Sequence, residues 1–284
     1  MIAILLSTYN GQKYLKEQLD SILKQSYSSW KLFIRDDGSI DKTNLIISEY
    51  VKQFSDKIFL DHTVVGNIGA GRSFMTLLRN VDADYYMFCD QDDVWMENKI
   101  EKSFNKISEL ERENGAEMPI GVFTDLTVVD SNGNIIMESL WTGDNRHPEY
   151  TKNFYKQWTN RHASYGCTMI FNRAAKFLVL PYRQFKNVQG GHDNWVEYHL
   201  INGGIYDYLR ESTIYYRQHS CNVVGINRGF SYKKELLKFL KKPWRLVSKI
   251  KADYKRTTLL RFKVSYFKIL WYRVCQSLAS LIGI

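Results

Sequence analysis

Tyr85-Tyr86-Met87-Phe88-Cys89-Asp90-Gln91-Asp92-Asp93-Val94-Trp95 is an apolar run of strand length that ends abruptly in three acids spaced D-x-D-D. Carboxylates at the C-terminal end of a buried strand face the crevice where open α/β sheets bind ligands, and hard oxygen ligands there suit Mg²⁺ or Mn²⁺ rather than zinc. A site for a metal and a diphosphate is the leading expectation. The competing reading is a solvated turn whose Asp caps a helix beginning near Glu97.

Upstream of this stretch the same cadence repeats. Ile2 to Leu6 is an apolar run followed by Ser7-Thr8-Tyr9-Asn10-Gly11, and Leu15, Leu19, Ile22 and Leu23 then recur at helical spacing. Trp30 to Ile34 leads into Asp36-Asp37-Gly38-Ser39, with a helix expected through Leu45, Ile46 and Tyr50. A third unit runs from Ile58-Phe59-Leu60 through the turn Gly66-Asn67-Ile68-Gly69-Ala70-Gly71 to a helix containing Phe74, Leu77 and Leu78. The β-α-β-α order predicts a mainly parallel sheet whose loops gather on one edge.

The chain of 284 residues can bury a sizeable core, as one large α/β domain with an appendage or as two domains. Cys89, Cys167, Cys221 and Cys275 are widely separated and contain no C-x-x-C pair, which excludes a structural zinc motif and a disulfide framework and fits a reducing cytosol. No secretory signal opens the sequence, and the apolar C-terminal stretch is interrupted by Lys268 and Arg273, so a soluble or peripheral protein is expected. Charge is concentrated at the end of the chain: fifteen Lys/Arg stand against two acids between Arg228 and Arg273, a balance of +13, so with +9 for the whole chain the rest carries −4. Aromatic residues, among them Phe230, Tyr232, Phe239, Trp244, Phe267 and Trp271, interleave with those cations, as on a surface that meets anionic lipid headgroups. A nucleic-acid patch has a similar composition.

Leu6-Ser7-Thr8-Tyr9-Asn10, Asp36-Asp37-Gly38-Ser39-x-Asp41, Gly66-Asn67-Ile68-Gly69 and Cys89-Asp90-Gln91-Asp92-Asp93-Val94-Trp95 resemble, in this order, the successive motifs of family 2 glycosyltransferases with the GT-A fold. The resemblance covers roughly residues 1–225. The D-Q-D-D-V-W form, with Tyr216-Arg217-Gln218-His219 and Asn222-Val223-Val224-Gly225, is similar to bacterial rhamnosyltransferase-type enzymes that build capsule, O-antigen and cell-wall polysaccharides.

The resemblance implies an inverting transferase that moves a sugar such as rhamnose, galactose or glucose from a nucleoside-diphosphate donor to a lipid-linked cell-surface glycan, with Mn²⁺ or Mg²⁺ as cofactor. Carried over residue by residue, Ser7 and Tyr9 line the nucleotide cleft, Asp37 accepts from the base imide N–H, Asn67 and Arg72 stand in the donor pocket, and Asp90 lies near the ribose. Asp92 holds the metal, with His219 completing its shell, and Asp193 in Gly190-Gly191-His192-Asp193-Asn194-Trp195 deprotonates the acceptor hydroxyl. Asp193 also suits a helix N-cap, and Arg72 an ordinary surface position. His192 is expected to shape the Asp193 turn, and His62, His147, His162 and His199 to be structural or surface groups. The expected organisation is a catalytic domain over 1–228, with a nucleotide-sugar half at 1–100 and an acceptor half at 101–228, followed by a basic amphipathic helical tail at 229–284.

In that tail Leu260, Val264, Phe267, Trp271, Val274 and Leu278 form a stripe in steps of four and three, suited to packing on the body, to pairing in a homodimer, or to a membrane interface. The last places the enzyme at the inner face of the plasma membrane; nucleic acid is not the expected partner. Two rival functions are a metal-dependent nucleotidyltransferase or phosphohydrolase, which has no need of the Ser7, Tyr9, Asp37 and Asp193 series, and a non-enzymatic basic membrane- or RNA-binding protein, which leaves the acidic motif without a role.

Overall fold

The structure is a computed structural model and describes residues 1–184, 191–219 and 243–282. Gly190, Cys221, residues 222–225, Phe230, Tyr232, Phe239 and the expected boundary at 228/229 lie outside the described residues.

The three repeating units form as the periodicity predicts. Strands β1 (Ile2–Thr8), β2 (Trp30–Asp36), β3 (Ile58–Leu60) and β4 (Tyr85–Cys89) are linked by helices α1 (Leu15–Leu23), α2 (Thr43–Gln53) and α3 (Ala70–Asn80). The strands pair in parallel in the order β3-β2-β1-β4. Ile2 to Leu6 of β1 are fully buried because β1 is central and covered on both faces. Leu15, Leu19 and Ile22 of α1, and Phe74, Leu77 and Leu78 of α3, bury the sides facing that sheet. Register sets the functional edge: Thr8 lies opposite Asp36 and Leu6 opposite Cys89, so the loops after β1, β2 and β4 leave the sheet side by side.

Beyond β4 the sheet becomes mixed. After the two-residue β5 (Val94–Trp95) and α4 (Lys99–Asn114) come β6 (Ile120–Val129), β7 (Ile135–Met137), α5 (Leu140–Gly143), α6 (Phe154–Thr159), β8 (Met169–Asn172), α7 (Arg173–Val179), α8 (His192–Gly203) and β9 (Ile205–Arg217). Strand β8 runs antiparallel between β4 and β6, β9 runs parallel to β6, and β5 pairs antiparallel with the end of β9. Residues 166–168 form a 3₁₀ turn ahead of β8 that delivers Cys167 beneath the acidic loop.

Two helices, α9 (Pro243–Thr257) and α10 (Tyr266–Ile282), complete the described chain. They dock on the body: Ile250, Leu260 and Ile269 join the core, Phe262 packs edge-on against Phe154, and Tyr272 stacks on Tyr155. Arg273 bridges to Asp253 at 2.8 Å and donates to the Thr159 carbonyl at 2.6 Å. The expected stripe is therefore split. Leu260 and Val264 precede α10 and pack inward, whereas Phe267 and Trp271, one turn apart on α10, are 79% and 65% exposed. The helix is phased so that Ile269 and Arg273 take the inward face. Among the described residues no helix is long and apolar enough to cross a membrane.

Candidate active site

The loop after β2 and the loop before α3 are one unit. Arg35, fully buried, donates to Asp37 Oδ1 at 2.6 Å, to Ser73 Oγ at 2.8 Å, and to the carbonyls of Val64 and Gly66. Asp37 in turn accepts the backbone N–H groups of Ile68 and Gly69 at 2.8 and 2.9 Å. Gly38 has φ +85° and a Cβ there would stand 3.2 Å from Asn67 N, so the D-D-G-S turn needs glycine for both conformation and approach. Asp37 is thus 2% exposed and holds the 66–69 loop; Asn67 is exposed at its crest and Arg72 is exposed in the first turn of α3.

The loop after β1 is clasped from two sides. Asn10 N donates to Ser39 Oγ, Asn10 Oδ1 accepts from Ile40 N, and Thr8 Oγ1 donates to Asp36. Burial works against ionisation of Asp36, but hydrogen bonds from Ser39 and Thr8 outweigh it and hold its carboxyl below the usual range. On the other side Gln91 exchanges two hydrogen bonds with the Tyr9 backbone, accepting its N–H at 2.8 Å and donating to its carbonyl at 3.0 Å. This leaves the Tyr9 ring about half exposed at the strand end, with Ser7 beneath it bonded to Ser73 at 2.7 Å.

The three acids take different positions. Asp90 is half-buried at the cleft; burial first, then the charges of Asp92 and Asp193, push its carboxyl up to about 7. Asp92 pairs with His219 Nε2 at 2.8 Å, so the two residues assigned to the metal meet although they lie far apart in the chain. Asp93 is fully buried and takes the Arg217 backbone N–H at 3.0 Å on Oδ1, and among the described residues its Oδ2 has no hydrogen-bond partner. Burial and the neighbouring acids push its carboxyl well up. Asp90, Asp93 and Cys167 place their ligand atoms within 4.8 Å of one another. Burial raises the Cys167 thiol well above its ordinary value, so it stands as a neutral thiol beside the carboxylates. Beneath them lies Lys99, fully buried, donating to Thr213 Oγ1 and seated over the Trp95 ring; burial draws it down to about 8.

Asp193 reaches the same cleft from α8. The helix starts at His192 with Gly191 (φ 76°) as its cap, so Asp193 is a first-turn residue and not the N-cap. Its Oδ1 accepts the adjacent Asn194 N–H. His192 fixes this turn by stacking on Phe74 at 4.3 Å and meeting Phe88 edge-on at 4.8 Å, which seats the start of α8 over the end of β4. One turn on, buried Glu197 accepts hydrogen bonds from Gln157, Ser164 and His162. His162 and His199 are structural, as expected; His147 pairs with Glu149 at the surface.

Residues 3–178 match the model of glycosyl transferase family 2. The chain belongs to this family. Among curated relatives, dTDP-rhamnosyl transferase RfbG of Shigella flexneri is 27% identical over 250 residues, covering 84% of this chain and 80% of that protein. The Escherichia coli glucosyltransferase WfgD, named for transfer from UDP-Glc to α-D-GlcNAc-diphosphoundecaprenol, is 32% identical over 104 residues, covering 36% of this chain and 38% of that protein. Among solved structures, Staphylococcus aureus TarS residues 1–349 in complex with UDP superposes with a TM-score of 0.59 at 15% identity, over 100% of this chain and 72% of that one. Mannosyltransferase PcManGT from Pyrobaculum calidifontis, in complex with GDP-Man and Mn²⁺, gives 0.55 at 15% identity, over 99% and 74%. The family 2 chain has the GT-A fold and is a glycosyltransferase with a nucleotide-sugar donor.

Sequence reasoning gave no role to Arg35, Gln91, Lys99 or Arg217, which hold these loops, although Gln91 and Arg217 stand inside the quoted motifs. Arg35 carried a physical signal of its own: an arginine inside a buried strand needs a buried acid, and Asp37 is two residues away on the same face.

Proposed function

We propose that this family 2 glycosyltransferase is inverting and metal-dependent, transferring a sugar to a lipid-linked glycan of a cell-surface polysaccharide. The observation that carries this is the convergence of Asp193 with Asp90 and the Asp92–His219 pair, because an acceptor base and a diphosphate anchor then share one cleft. Ser7, Tyr9, Asn67, Arg72 and Asp90 line the donor side, Tyr9 offering its flat face to the base. Asp37 uses its remaining lone pair for the base imide N–H while holding the 66–69 loop.

Asp92 and His219 present a hard carboxylate oxygen and one imidazole, a donor set that fits Mn²⁺ or Mg²⁺. When bound there, such a cation neutralises charge that develops on the leaving diphosphate. Asp193 takes the proton of the acceptor hydroxyl as that oxygen attacks the anomeric carbon from the face opposite the diphosphate, and one displacement inverts the centre. WfgD, named for a diphosphoundecaprenol-linked acceptor, supports the lipid-linked reading, as do Phe267 and Trp271 exposed among the tail cations. Those side chains dip into an anionic membrane on its cytoplasmic side. A second copy covering the same face would abolish vesicle binding and double the mass in solution.

A thermal-shift screen of sugar nucleotides with Mn²⁺ tests the reading, since a ligand specific to the native state raises the melting temperature by mass action. A dTDP- or UDP-sugar is expected to stabilise only with Mn²⁺ or Mg²⁺ present. Stabilisation undiminished in EDTA, or donor turnover with no sugar transferred to any glycan acceptor, overturns it.

A further inference from the structure

Asp92 and His219 sit in separate loops, and nothing in their own pair explains why those loops meet. Arg217, 3% exposed at the end of β9, reaches the acidic loop, α1 and the Ser131 turn. Its backbone N–H donates to Asp93 Oδ1 at 3.0 Å and its Nε donates to the Asp92 carbonyl at 3.0 Å, adding two rungs between the acidic loop and the strand that leads into His219. Nη2 pairs with Glu17 of α1 at 2.5 Å and Nη1 donates to the Ser131 carbonyl at 3.3 Å. The guanidinium lies 4.8 Å from the Tyr14 ring, and the same ring packs at a tilt against His219, 4.8 Å between centroids. Tyr14 therefore stands as a shared floor under the arginine and the histidine.

A planar group with donors fixed in a fork is what this arrangement uses, because the Asp92 carbonyl, Glu17 and Ser131 lie in different directions around one guanidinium. We propose that Arg217 is a positioning residue for cation binding: without touching the ion, it sets the Asp92 backbone and the His219 ring so that carboxylate and imidazole face one another. The inference rests on the metal reading of Asp92 and His219 and adds a residue that makes them one site. A lysine cannot replace it, having no fork, and a methionine keeps only its length.

The test uses the full chain and Mn²⁺ alone, with free Mn²⁺ followed by electron paramagnetic resonance at a temperature well below every variant's melting transition. Arg217→Met and Arg217→Lys are expected to weaken Mn²⁺ binding by about tenfold or more. His219→Ala weakens it comparably, and the Arg217→Met/His219→Ala double variant loses little beyond either alone, because residues acting on one site are non-additive. A purely structural arginine would lower the melting temperature and leave the Mn²⁺ affinity and this coupling untouched. Glu17 is exposed, so Glu17→Gln folds even where Arg217→Met does not; it is expected to weaken Mn²⁺ binding severalfold. Wild-type affinity in Arg217→Met, full additivity in the double variant, or wild-type affinity in Glu17→Gln where Arg217→Met cannot be folded, overturns the proposal. If Asp92→Asn and His219→Ala bind Mn²⁺ like the wild type, the metal reading itself falls, an outcome distinct from failure of Arg217 alone.

Discussion

Replacing Asp37 by Asn tests whether the D-D-G-S turn is a buried pillar as well as part of the donor pocket. The substitution keeps the side-chain volume and one acceptor oxygen but removes the charge facing Arg35, which is fully buried. Removing one member of a buried ion pair costs roughly 3–5 kcal/mol because the other charge remains desolvated. Arg35 keeps hydrogen bonds to Ser73 Oγ and to the Val64 and Gly66 carbonyls, so the lower end, about 3 kcal/mol, is expected. At about 2 °C per kcal/mol for a chain of this size, the melting temperature falls by roughly 6 °C. Changing both residues, Arg35→Met with Asp37→Asn, is expected to cost less than the sum of the two single changes, since neither charge is then left alone. Nucleotide affinity should fall as well, because Asp37 holds the Ile68 and Gly69 amides that shape the loop under Asn67. Thermal melts of the four proteins, with nucleotide titrations at a temperature where all are folded, decide it. An Asp37→Asn protein melting within about 1 °C of wild type, or strict additivity in the double variant, refutes the pillar argument and leaves Asp37 a contact to the base alone.

Asp193→Asn retains the acceptor for the Asn194 N–H and is expected to fold and bind donor normally while transfer drops by about 10²–10⁴-fold; a loss under about tenfold places the base elsewhere. Phe267→Ser with Trp271→Ser should leave the melting temperature unchanged, as both rings are exposed, yet weaken binding to anionic vesicles at least about tenfold, and wild-type binding should decline as salt is raised. Binding indifferent to the double change or to salt removes the membrane role. His199, buried and drawn down to about 4 by desolvation, is neutral in the fold, while the unfolded chain protonates it near 6.5. Below 6.5 the unfolded state therefore binds the extra proton, and this residue's contribution is full above 6.5 and lost as pH falls toward 4. Relative to His199→Phe the wild type should lose up to about 3 kcal/mol across that window in denaturant melts, and a pH-independent difference contradicts the assignment.

The first half of the fold was legible because its signals are local. Each strand is a short apolar run, each helix shows its buried stripe, and each loop carries glycine or acids where the chain must turn, so β1 through β4 and the gathering of Asp37, Asn67 and Asp90 on one edge follow from spacing alone. The second half was less so. Nothing local in Met169–Asn172 says that β8 runs antiparallel between β4 and β6, since that pairing is decided by contacts far apart in the chain. The tail stripe misled for a related reason. A heptad-like step assumes one continuous helix, but residues 258–265 break it, and the phase of α10 is reset by packing against α6 through Tyr155, Tyr272 and Thr159. The sequence also suited Asp193 to a helix N-cap, but Gly191 in the left-handed region starts the helix two residues earlier and makes Asp193 a first-turn residue.

The charges in the cleft show why the acids read clearly and the cations did not. Asp36, Asp37, Asp90, Asp92 and Asp93 all sit at strand ends, where a run of acids interrupts an apolar pattern and stands out. Their counter-charges do not interrupt anything: Arg35 lies inside a strand, Lys99 at a helix start, and Arg217 at the end of a strand, positions where a basic residue ordinarily reaches water. All three are instead nearly or fully buried, each behind a different part of the acidic rim. Arg35 is matched by Asp37, and Arg217 by Glu17 with the Asp92 carbonyl, so neither cation can neutralise Asp90 and Asp92 across the open cleft. Lys99, drawn down toward neutrality by its burial, offsets Asp93 only in part. Among the described residues these three buried cations are thus engaged away from Asp90 and Asp92, and an acidic face left uncancelled by them is the condition under which a divalent ion, and behind it a diphosphate, gains most by entering.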